Sequence, residues 1–192
     1  MFCQPGFEYF RQRLADSPYN YLEIGVFNGD SIAALAQAYP DKTIYGVDPF
    51  LEDGYTTHTT GVDRHEPMPQ QRANTRQNTQ GLTNVVMHET TAEAFALSLT
   101  DQDIERMQVA WVLIDGSHHY DDIVIDVDLA VRLIGSRVGG IVFDDLNLPD
   151  VDRARQYFVS RYSELTDFAI DLPGPHPGHI MAYSVNARLG QR

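Results

Sequence analysis

Cysteine and basic residues are both scarce in this sequence. Its 192 residues include one cysteine, Cys3, so an internal disulfide is excluded and a reducing cytosol is the simplest compartment. Lysine and arginine together number 14 against 27 aspartates and glutamates, which gives a formal net charge of -13. Because phosphate groups are bound chiefly by Lys and Arg, this balance argues against nucleic acid or an anionic membrane as a partner.

Long apolar runs are also absent. The longest, Val109 to Ile114, is far too short to cross a bilayer, and the first residues contain no apolar segment like that of a secretory signal. We therefore expect a soluble, cytoplasmic protein. A length of 192 residues with 43% hydrophobic content suffices for one sizeable core and is short for two. We expect residues 1–192 to form a single domain.

Residues 21–48 have the pattern of a strand, a tight turn, a helix and a second strand. Gly25 and Gly29 bracket the turn. The helix that follows has an apolar face, and Asp30 or Ser31 is expected to cap its start. This unit is the part of the chain on which the rest of the prediction depends.

The second strand, residues 43–47, ends at Asp48, at the edge of the sheet where open α/β proteins bind ligands. The preceding turn lacks the G-x-G-x-x-G fingerprint, and Glu23 and Asp30 place negative charge around it. A pyrophosphate would be repelled there, whereas an ammonium or sulfonium group would be attracted. The carboxylate of Asp48 can accept hydrogen bonds from both hydroxyls of a ribose. The pattern therefore favours a cationic ligand that carries a ribose.

The sequence E-x-G-x-x-x-G followed by a strand-end acid resembles the cofactor motif of class I S-adenosylmethionine-dependent methyltransferases. The resemblance implies that Glu23, Gly25, Gly29 and Asp48 contact the cofactor, S-adenosyl-L-methionine. It also implies an adenine contact at Thr91. The alternative is a βαβ unit in which the glycines only turn the chain and Asp48 is a solvated strand end.

Apolar periodicity predicts the remaining elements. Residues 110–114 belong to the most apolar run, whose lack of alternation indicates a central parallel strand buried on both faces. Residues 120–136 have apolar positions at helical spacing with aspartates between them, which indicates a helix on the sheet that Gly139 and Gly140 end. Residues 52–80 are nearly free of aliphatic side chains and predict a lid or acceptor loop. Further elements are predicted as helices at 6–16, 92–99 and 152–162, a helix within 67–80, a turn or helical piece at 101–106, strands at 84–88 and 141–143, and a hairpin of 168–172 with 179–185.

Helical crossovers between successive strands indicate a parallel sheet. Together with the resemblance they predict an α/β fold, namely a single Rossmann-like methyltransferase domain with a mostly parallel seven-stranded sheet and a C-terminal antiparallel hairpin. In such a sheet three segments meet at one edge. They are the turn from Gly25 to Gly29, LIDGSHHY at residues 113–120, and GGIVFDDL at residues 139–146.

The segments I-D-G-x-H-x-Y and G-G-I-V-F-D-D resemble a family of small bacterial methyltransferases related to sugar and antibiotic O-methyltransferases, over residues 20–150. The same positions are similar to the metal site of catechol-type O-methyltransferases. This similarity implies a Mg²⁺ ion on Asp115, Asp144 and Asp145, with Asp115 also near the cofactor. Converging carboxylates repel each other unless a hard cation neutralises them. The alternative is that Asp144 or Asp145 caps the next segment and no metal binds.

His118 lies three residues after Asp115, at the position where the catechol-type enzymes that this segment resembles have a lysine as base. An imidazole suits that role near neutral pH, because its unperturbed pKa is about 6.5. The neighbouring His119 is an alternative base, and either histidine can instead cap a helix or pack on the adenine. In the predicted scheme the metal-bound aspartates lower the pKa of an acceptor hydroxyl, and His118 takes its proton.

The sequence thus predicts an O-methyltransferase that uses S-adenosylmethionine and acts on a small hydroxylated acceptor. Two other classes stay open at this point. One is an NAD-binding oxidoreductase, disfavoured by the missing third glycine and by Glu23, and the other is a cofactor-binding protein without catalysis. The sequence does not identify the methyl acceptor. It is compatible with a homo-oligomer.

Overall fold

The computed structural model describes residues 4–51, 56–59, 62–65, 68–164, 166–172 and 180–185. Within these ranges, no helix combines the length and the apolar character needed to span a membrane. The helices are α1 Gln4–Asp16, α2 Asp30–Ala38, α3 Met68–Asn78, α4 Ala92–Ser98, α5 Asp101–Met107, α6 Tyr120–Ile134 and α7 Pro149–Arg161. The strands are β1 Asn20–Ile24, β2 Ile44–Val47, β3 Thr56–Thr59, β4 Val62–His65, β5 Val85–His88, β6 Val109–Ile114, β7 Gly139–Phe143, β8 Thr166–Leu172 and β9 Ile180–Val185.

The main sheet has the strand order β5-β2-β1-β6-β7-β9-β8. The five strands from β5 to β7 are mutually parallel, whereas β9 runs antiparallel to both β7 and β8. This parallel five-stranded sheet with its helical crossovers confirms the predicted α/β Rossmann-like fold. Chain order reverses between β1 and β6, and open α/β sheets bind ligands at such a switch point.

The central strand of the sheet is β6, as predicted. All six of its residues are buried. Trp111 and Leu113 pack with α1 and α2 on one face, while Val112 and Ile114 pack with α4, α6 and α7 on the other. A strand with a core on both faces has no polar side to show, which explains its uninterrupted apolar sequence.

The polar stretch at residues 52–80 contains more regular structure than the sequence predicted. The helix expected within 67–80 is present as α3, but β3 and β4 also pair there as an antiparallel ribbon, with Thr56 opposite His65. The ribbon sequences TTHT and VDRH have no alternation of apolar and polar residues. Periodicity therefore gave no signal for these two strands.

Two predicted boundaries are wrong, both for steric reasons. Helix α6 ends at Gly135, whose φ of 54° is left-handed, and Gly139 and Gly140 belong to strand β7 instead. A Cβ on Gly139 would lie 1.9 Å from the carbonyl oxygen of Ala110, and one on Gly140 would lie 2.8 Å from the Trp111 ring. These glycines permit close approach of β6 and β7 and do not end the helix.

We expect Gly139→Ala to lower the free energy of unfolding by about 3 kcal/mol or more, because its Cβ would overlap the β6 backbone. Gly81→Ala is the matched control, since Gly81 has a φ of 81° but no heavy atom within 4 Å of an added Cβ. It should cost only the left-handed backbone strain of about 1 kcal/mol. Urea unfolding of both variants measures the difference, and equal losses would contradict the steric account.

Candidate active site

The loops that follow β1 and β6 touch each other through their backbones. Gly25 has a φ of 86°, and a Cβ there would lie 2.1 Å from the carbonyl oxygen of Asp115 and 2.5 Å from Cα of Gly116. The Asp115 amide also donates to the carbonyl of Ile24 at 2.9 Å, and the Gly25 amide donates to Val47 at 3.0 Å. These contacts fix the ends of β1, β2 and β6 side by side at the switch point.

Asp48 holds the glycine turn in shape. Its Oδ2 accepts hydrogen bonds from the amides of Val26 at 2.8 Å and Phe27 at 3.2 Å, and its Oδ1 accepts one from Phe50 at 2.8 Å. Burial raises the pKa of Asp48, and the three amides act against that rise. A carboxylate can accept about four hydrogen bonds. By this count one acceptor position is left for a ligand, fewer than the two that a bidentate ribose contact needs.

Glu23 lies beneath the turn. It is only 2% exposed, accepts a hydrogen bond from the Tyr21 hydroxyl at 2.9 Å and another from the Ser31 hydroxyl. Burial raises its pKa to about 7. Because Ser31 bonds to Glu23, α2 has no side-chain cap and begins after Gly29, so the predicted capping by Asp30 or Ser31 is wrong.

Helix α3 packs on the same turn and donates side-chain hydrogen bonds to its backbone. The Thr75 hydroxyl donates to the carbonyl of Phe27 at 2.8 Å, and the Asn78 amide donates to the carbonyl of Asn28 at 2.9 Å. Gly29, with a φ of 75°, packs against Thr75, whose Cγ2 would lie 3.0 Å from an added Cβ. The sequence analysis missed this role of α3. Its signal is Asn and Thr at helical spacing in a helix that lacks an apolar stripe.

A cavity of about 710 Å³ opens at this edge of the sheet. Its volume lies within the range typical of small-molecule and cofactor pockets. The predicted site residues Gly25, Asp48, Thr91, Asp115 and His118 line it, and so does His119, the alternative base. Its other walls come from the loops after β1 and β2, the end of β2, the first turns of α4 and α7 and the first two turns of α6. Phe27, Val47, Leu51, Ala92, Glu93, Asp122, Ile125, Asp126, Leu148 and Asp150 are among the lining residues.

Thr91 and Asp115 differ in how much of their hydrogen-bonding capacity is used. The Thr91 hydroxyl accepts a hydrogen bond from the Ala94 amide at 3.2 Å and so caps α4. Among the described residues, none donates to the Asp115 carboxylate. Burial, followed by the negative charges of Asp144, Asp145 and Glu23, raises the pKa of Asp115 well above its usual range. Asp115 is therefore the acid at this edge that most needs a cationic partner.

His118 and Asp145 bridge the loops after β6 and β7. The Nε2 atom of His118 lies 3.0 Å from Oδ2 of Asp145, and the imidazole is 19% exposed. Asp145 has a φ of 54°, a strained conformation of the kind that collects at functional sites. His119 is exposed at the start of α6, and no described carboxylate pairs with it. Of the two histidines, His118 has the orienting carboxylate that a general base commonly has.

The three aspartates do not form the predicted magnesium site as they stand. Within the part of the chain that the structure describes, no group of three or more His, Cys, Asp or Glu side chains is arranged to hold a metal ion. Asp145 faces His118, and Asp144 accepts a hydrogen bond from the Asp145 amide at 2.8 Å. The cluster nevertheless concentrates negative charge beside the cavity.

A family model described as a methyltransferase domain matches residues 22–146. No curated protein matches the chain significantly. Among solved structures, a candidate caffeoyl-CoA O-methyltransferase from Staphylococcus aureus is 13% identical with a TM-score of 0.65, over 97% of this chain and 85% of that one. CalS11, a TDP-rhamnose 3'-O-methyltransferase of calicheamicin biosynthesis, is 15% identical with a TM-score of 0.62, over 93% and 76%.

The N-methyltransferase NodS from Bradyrhizobium japonicum, in complex with S-adenosyl-L-homocysteine, is also similar. It is 13% identical with a TM-score of 0.57, over 95% of this chain and 86% of that one. Identities of this size show a shared fold only. Since the neighbours include O- and N-methyltransferases, the fold does not select the acceptor atom.

We expect Glu23→Gln to change how stability depends on pH. Because folding raises the pKa of Glu23 from 4.5 to about 7, the folded chain binds more protons than the unfolded one in this window. The parent therefore loses stability as pH rises from 4.5 to 7, by about 3 kcal/mol through this group. Gln carries no charge, and its single carbonyl oxygen can accept from one of the two hydroxyls while its NH2 group donates to the other, so this pH-dependent loss should disappear.

Urea unfolding of parent and variant at pH 5 and pH 8 measures the effect. The control is Glu164→Gln at an exposed position, which should follow the parent at both pH values. If the free energies of unfolding of Glu23→Gln and the parent differed by the same amount at pH 5 and pH 8, Glu23 would be ionised at both pH values.

Proposed function

This chain belongs to the methyltransferase-domain family and is an S-adenosylmethionine-dependent methyltransferase, and from that premise we propose that it transfers the methyl group to an oxygen of a small hydroxylated acceptor. The observation that carries the proposal is the pair of His118 and Asp145 beside the cavity, 3.0 Å apart. A paired imidazole can remove a hydroxyl proton near neutral pH. The family gives no support to the NAD-binding oxidoreductase or to a protein without catalysis.

The charges around the turn support the cofactor assignment. The acids Glu23, Asp48 and Asp115 lie at this end of the cavity, and no described Lys or Arg lines it. A bound ammonium or sulfonium group favours their carboxylate forms, whereas a phosphate disfavours them. In our proposal Gly25 and Asp115 adjoin the charged end of the cofactor, and Asp48 accepts one ribose hydroxyl through its remaining acceptor position.

The chemistry divides between cofactor and chain. When bound, S-adenosylmethionine supplies an activated methyl group, so the chain has to align the acceptor oxygen and receive its proton. Asp145 fixes His118 with a hydrogen on Nε2, which leaves Nδ1 as the atom that accepts the proton. The Asp145 carboxylate then stabilises the imidazolium. The backbone contacts between the glycine turn and the loop after β6 keep the part of the cavity proposed for the cofactor rigid.

The acceptor is proposed to meet the stretch at residues 52–80. In support, helix α3 from this stretch contacts the glycine turn, and Gly25 and Phe27 of that turn line the cavity. We propose that the stretch acts as a lid or acceptor loop of a single domain spanning residues 1–192, in a cytoplasmic protein. A homo-oligomer is compatible with this proposal, and a small molecule with several hydroxyls is the acceptor class that the base suits.

We expect His118→Ala to slow methyl transfer by about 10² to 10⁴-fold, the usual size of a general-base contribution. His119→Ala is the matched control and should keep nearly full activity, because no described carboxylate orients His119. Transfer of labelled methyl to a panel of sugars and catechols under single turnover measures the rate. Calorimetry with S-adenosylhomocysteine should give parental affinity for both variants. Normal turnover by His118→Ala together with loss in His119→Ala would assign the base to His119.

The sequence and the described geometry lead to opposite expectations about whether methyl transfer needs Mg²⁺. The resemblance predicts that EDTA abolishes methyl transfer and that Mg²⁺ restores it. The described arrangement of Asp115, Asp144 and Asp145 does not offer a ready ligand set, so on the geometry we expect activity to persist in EDTA. Methyl transfer measured in EDTA and after adding Mg²⁺ decides, with Asp144→Ala showing whether any metal dependence runs through this cluster.

A further inference from the structure

Helix α3 packs beside the active site without burying an apolar side chain among residues 70–78. Within that range the buried side chains are Gln71, 3% exposed, and Thr75, 2% exposed, and both are polar. A helix in a folded protein normally gains most of its stability by burying an apolar stripe. The packing of this part of α3 therefore depends on polar contacts, which water can replace when the helix leaves.

Gln71 weakens this packing. Within the part of the chain that the structure describes, neither the amide nitrogen nor the amide oxygen of its side chain has a hydrogen-bond partner, although both atoms are buried. Residues four apart lie on one face of a helix, so Gln71 shares a face with Thr75, which bonds to the glycine turn. A buried amide without a partner lowers the stability of the state that buries it. The packed position of α3 is therefore less stable than its other contacts would make it.

Two loops at the cavity wall are held by α3. Thr75 donates to the carbonyl of Phe27, in the loop after β1. Arg72 donates to the carbonyl of Phe50, 3.2 Å away in the loop after β2. Phe27 lines the cavity, and so does Pro49, the neighbour of Phe50. When α3 leaves, both loops lose a hydrogen bond that holds them at this wall.

One carboxylate, that of Glu89, ties α3 to the end of β5. It lies 3.2 Å from Nε of Arg72 and 2.9 Å from Nη2 of Arg76. The Glu89 side chain is 36% exposed, so solvent and salt screen both ion pairs. Pairs of this kind are individually weak, and Glu89 therefore adds a small and reversible contribution to the packing of α3.

We propose that α3 is a gate for the cofactor, which leaves the loops after β1 and β2 when S-adenosylmethionine enters or S-adenosylhomocysteine departs, and then packs again. A polar helix of 11 residues is not stable alone in water, so α3 unfolds when it leaves. This gate deepens the proposed role of residues 52–80 as a lid. It rests on the proposed place of the cofactor beside the glycine turn and does not depend on the acceptor.

A gate has a kinetic signature that separates it from a binding contact. If the cofactor enters and leaves only while α3 is open, a variant that shifts the opening equilibrium changes the association and dissociation rates by the same factor. The Kd then stays constant, because the packed state predominates with and without ligand. A residue that contacts the ligand instead changes the Kd, chiefly through the dissociation rate.

Gln71→Met should close the gate. Met keeps the length and helix propensity of Gln without its amide group, so the packed state is stabilised. We expect both rates for S-adenosylhomocysteine to fall by about tenfold, the scale of one buried polar group left unpaired. Surface plasmon resonance with immobilised protein measures the two rates, and calorimetry should give the parental Kd.

Glu89→Gln should open the gate, because it removes the ion pairs to Arg72 and Arg76. Both rates should rise by about threefold at an unchanged Kd. Glu8→Gln is the matched control, since it breaks a similarly exposed pair with Arg11, 2.8 Å long, on α1. It should keep the parental rates. If Gln71→Met does not fold, Glu89→Gln and this control decide.

Hydrogen exchange tests the opening of α3 without any ligand. Because α3 unfolds when it leaves, its amides in the free parent should exchange at least about tenfold faster than those of the buried helix α6. Exchange in α3 should slow in Gln71→Met and quicken in Glu89→Gln by the factors found for the rates. Exchange in α6 should be the same in all of these proteins.

Parental rates in Gln71→Met, or a slower dissociation without an equally slower association, would overturn the gate and leave the proposed function intact. So would α3 amides that exchange as slowly as those of α6 in the free parent. A parent that binds no S-adenosylhomocysteine would overturn the proposed function and the gate with it.

Discussion

The active site depends on one close contact, between the backbone of Gly25 and the backbone of Asp115. Any side chain at position 25 would overlap the Asp115 carbonyl, 2.1 Å from the site of a Cβ. The Asp144 amide in turn donates to the carbonyl of Ile114 at 3.2 Å, so the loop after β7 begins beside the same end of β6. The crowding of acids at this edge is therefore a consequence of how β1, β6 and β7 end side by side.

The acids at this edge are stabilised in different ways, and the difference indicates their roles. Asp48 accepts three backbone hydrogen bonds and Glu23 accepts two from hydroxyls. Both are mainly part of the framework that shapes the turn. Asp115 and Asp126 accept none from described residues, yet both line the cavity. Acids without protein partners at a cavity wall are the ones that a ligand has to satisfy.

Sequence patterns predicted the positions of helices and strands better than they predicted the directions in which side chains point. Apolar runs placed the five parallel strands, and the rule that ligands bind at strand ends put Asp115 and His118 at one edge of the sheet, where both line the cavity. The same patterns placed Glu23 among the cofactor contacts, which stays a prediction; that Glu23 accepts hydrogen bonds from Tyr21 and Ser31 beneath the turn could not be foreseen, because alternation in a strand gives a face and not a partner. Asp126 was counted with the polar positions of α6, since periodicity cannot separate a solvent-facing aspartate from one that faces a cavity. Helix α3 contacts the glycine turn through hydrogen bonds from side chains to backbone carbonyls. Such contacts produce no periodic pattern of apolar residues in the sequence.

The raised pKa of Asp115 bears on how a reaction cycle would proceed. In the proposed function the sulfur carries a positive charge before methyl transfer and none afterwards. Asp115, whose pKa is raised by burial and then by its negative neighbours, would be favoured as a carboxylate by the first state and less so by the second. On the proposed function, the site would therefore attract the methyl donor more strongly than the spent thioether, and the crowding of acids around Asp115 would also favour release of the product.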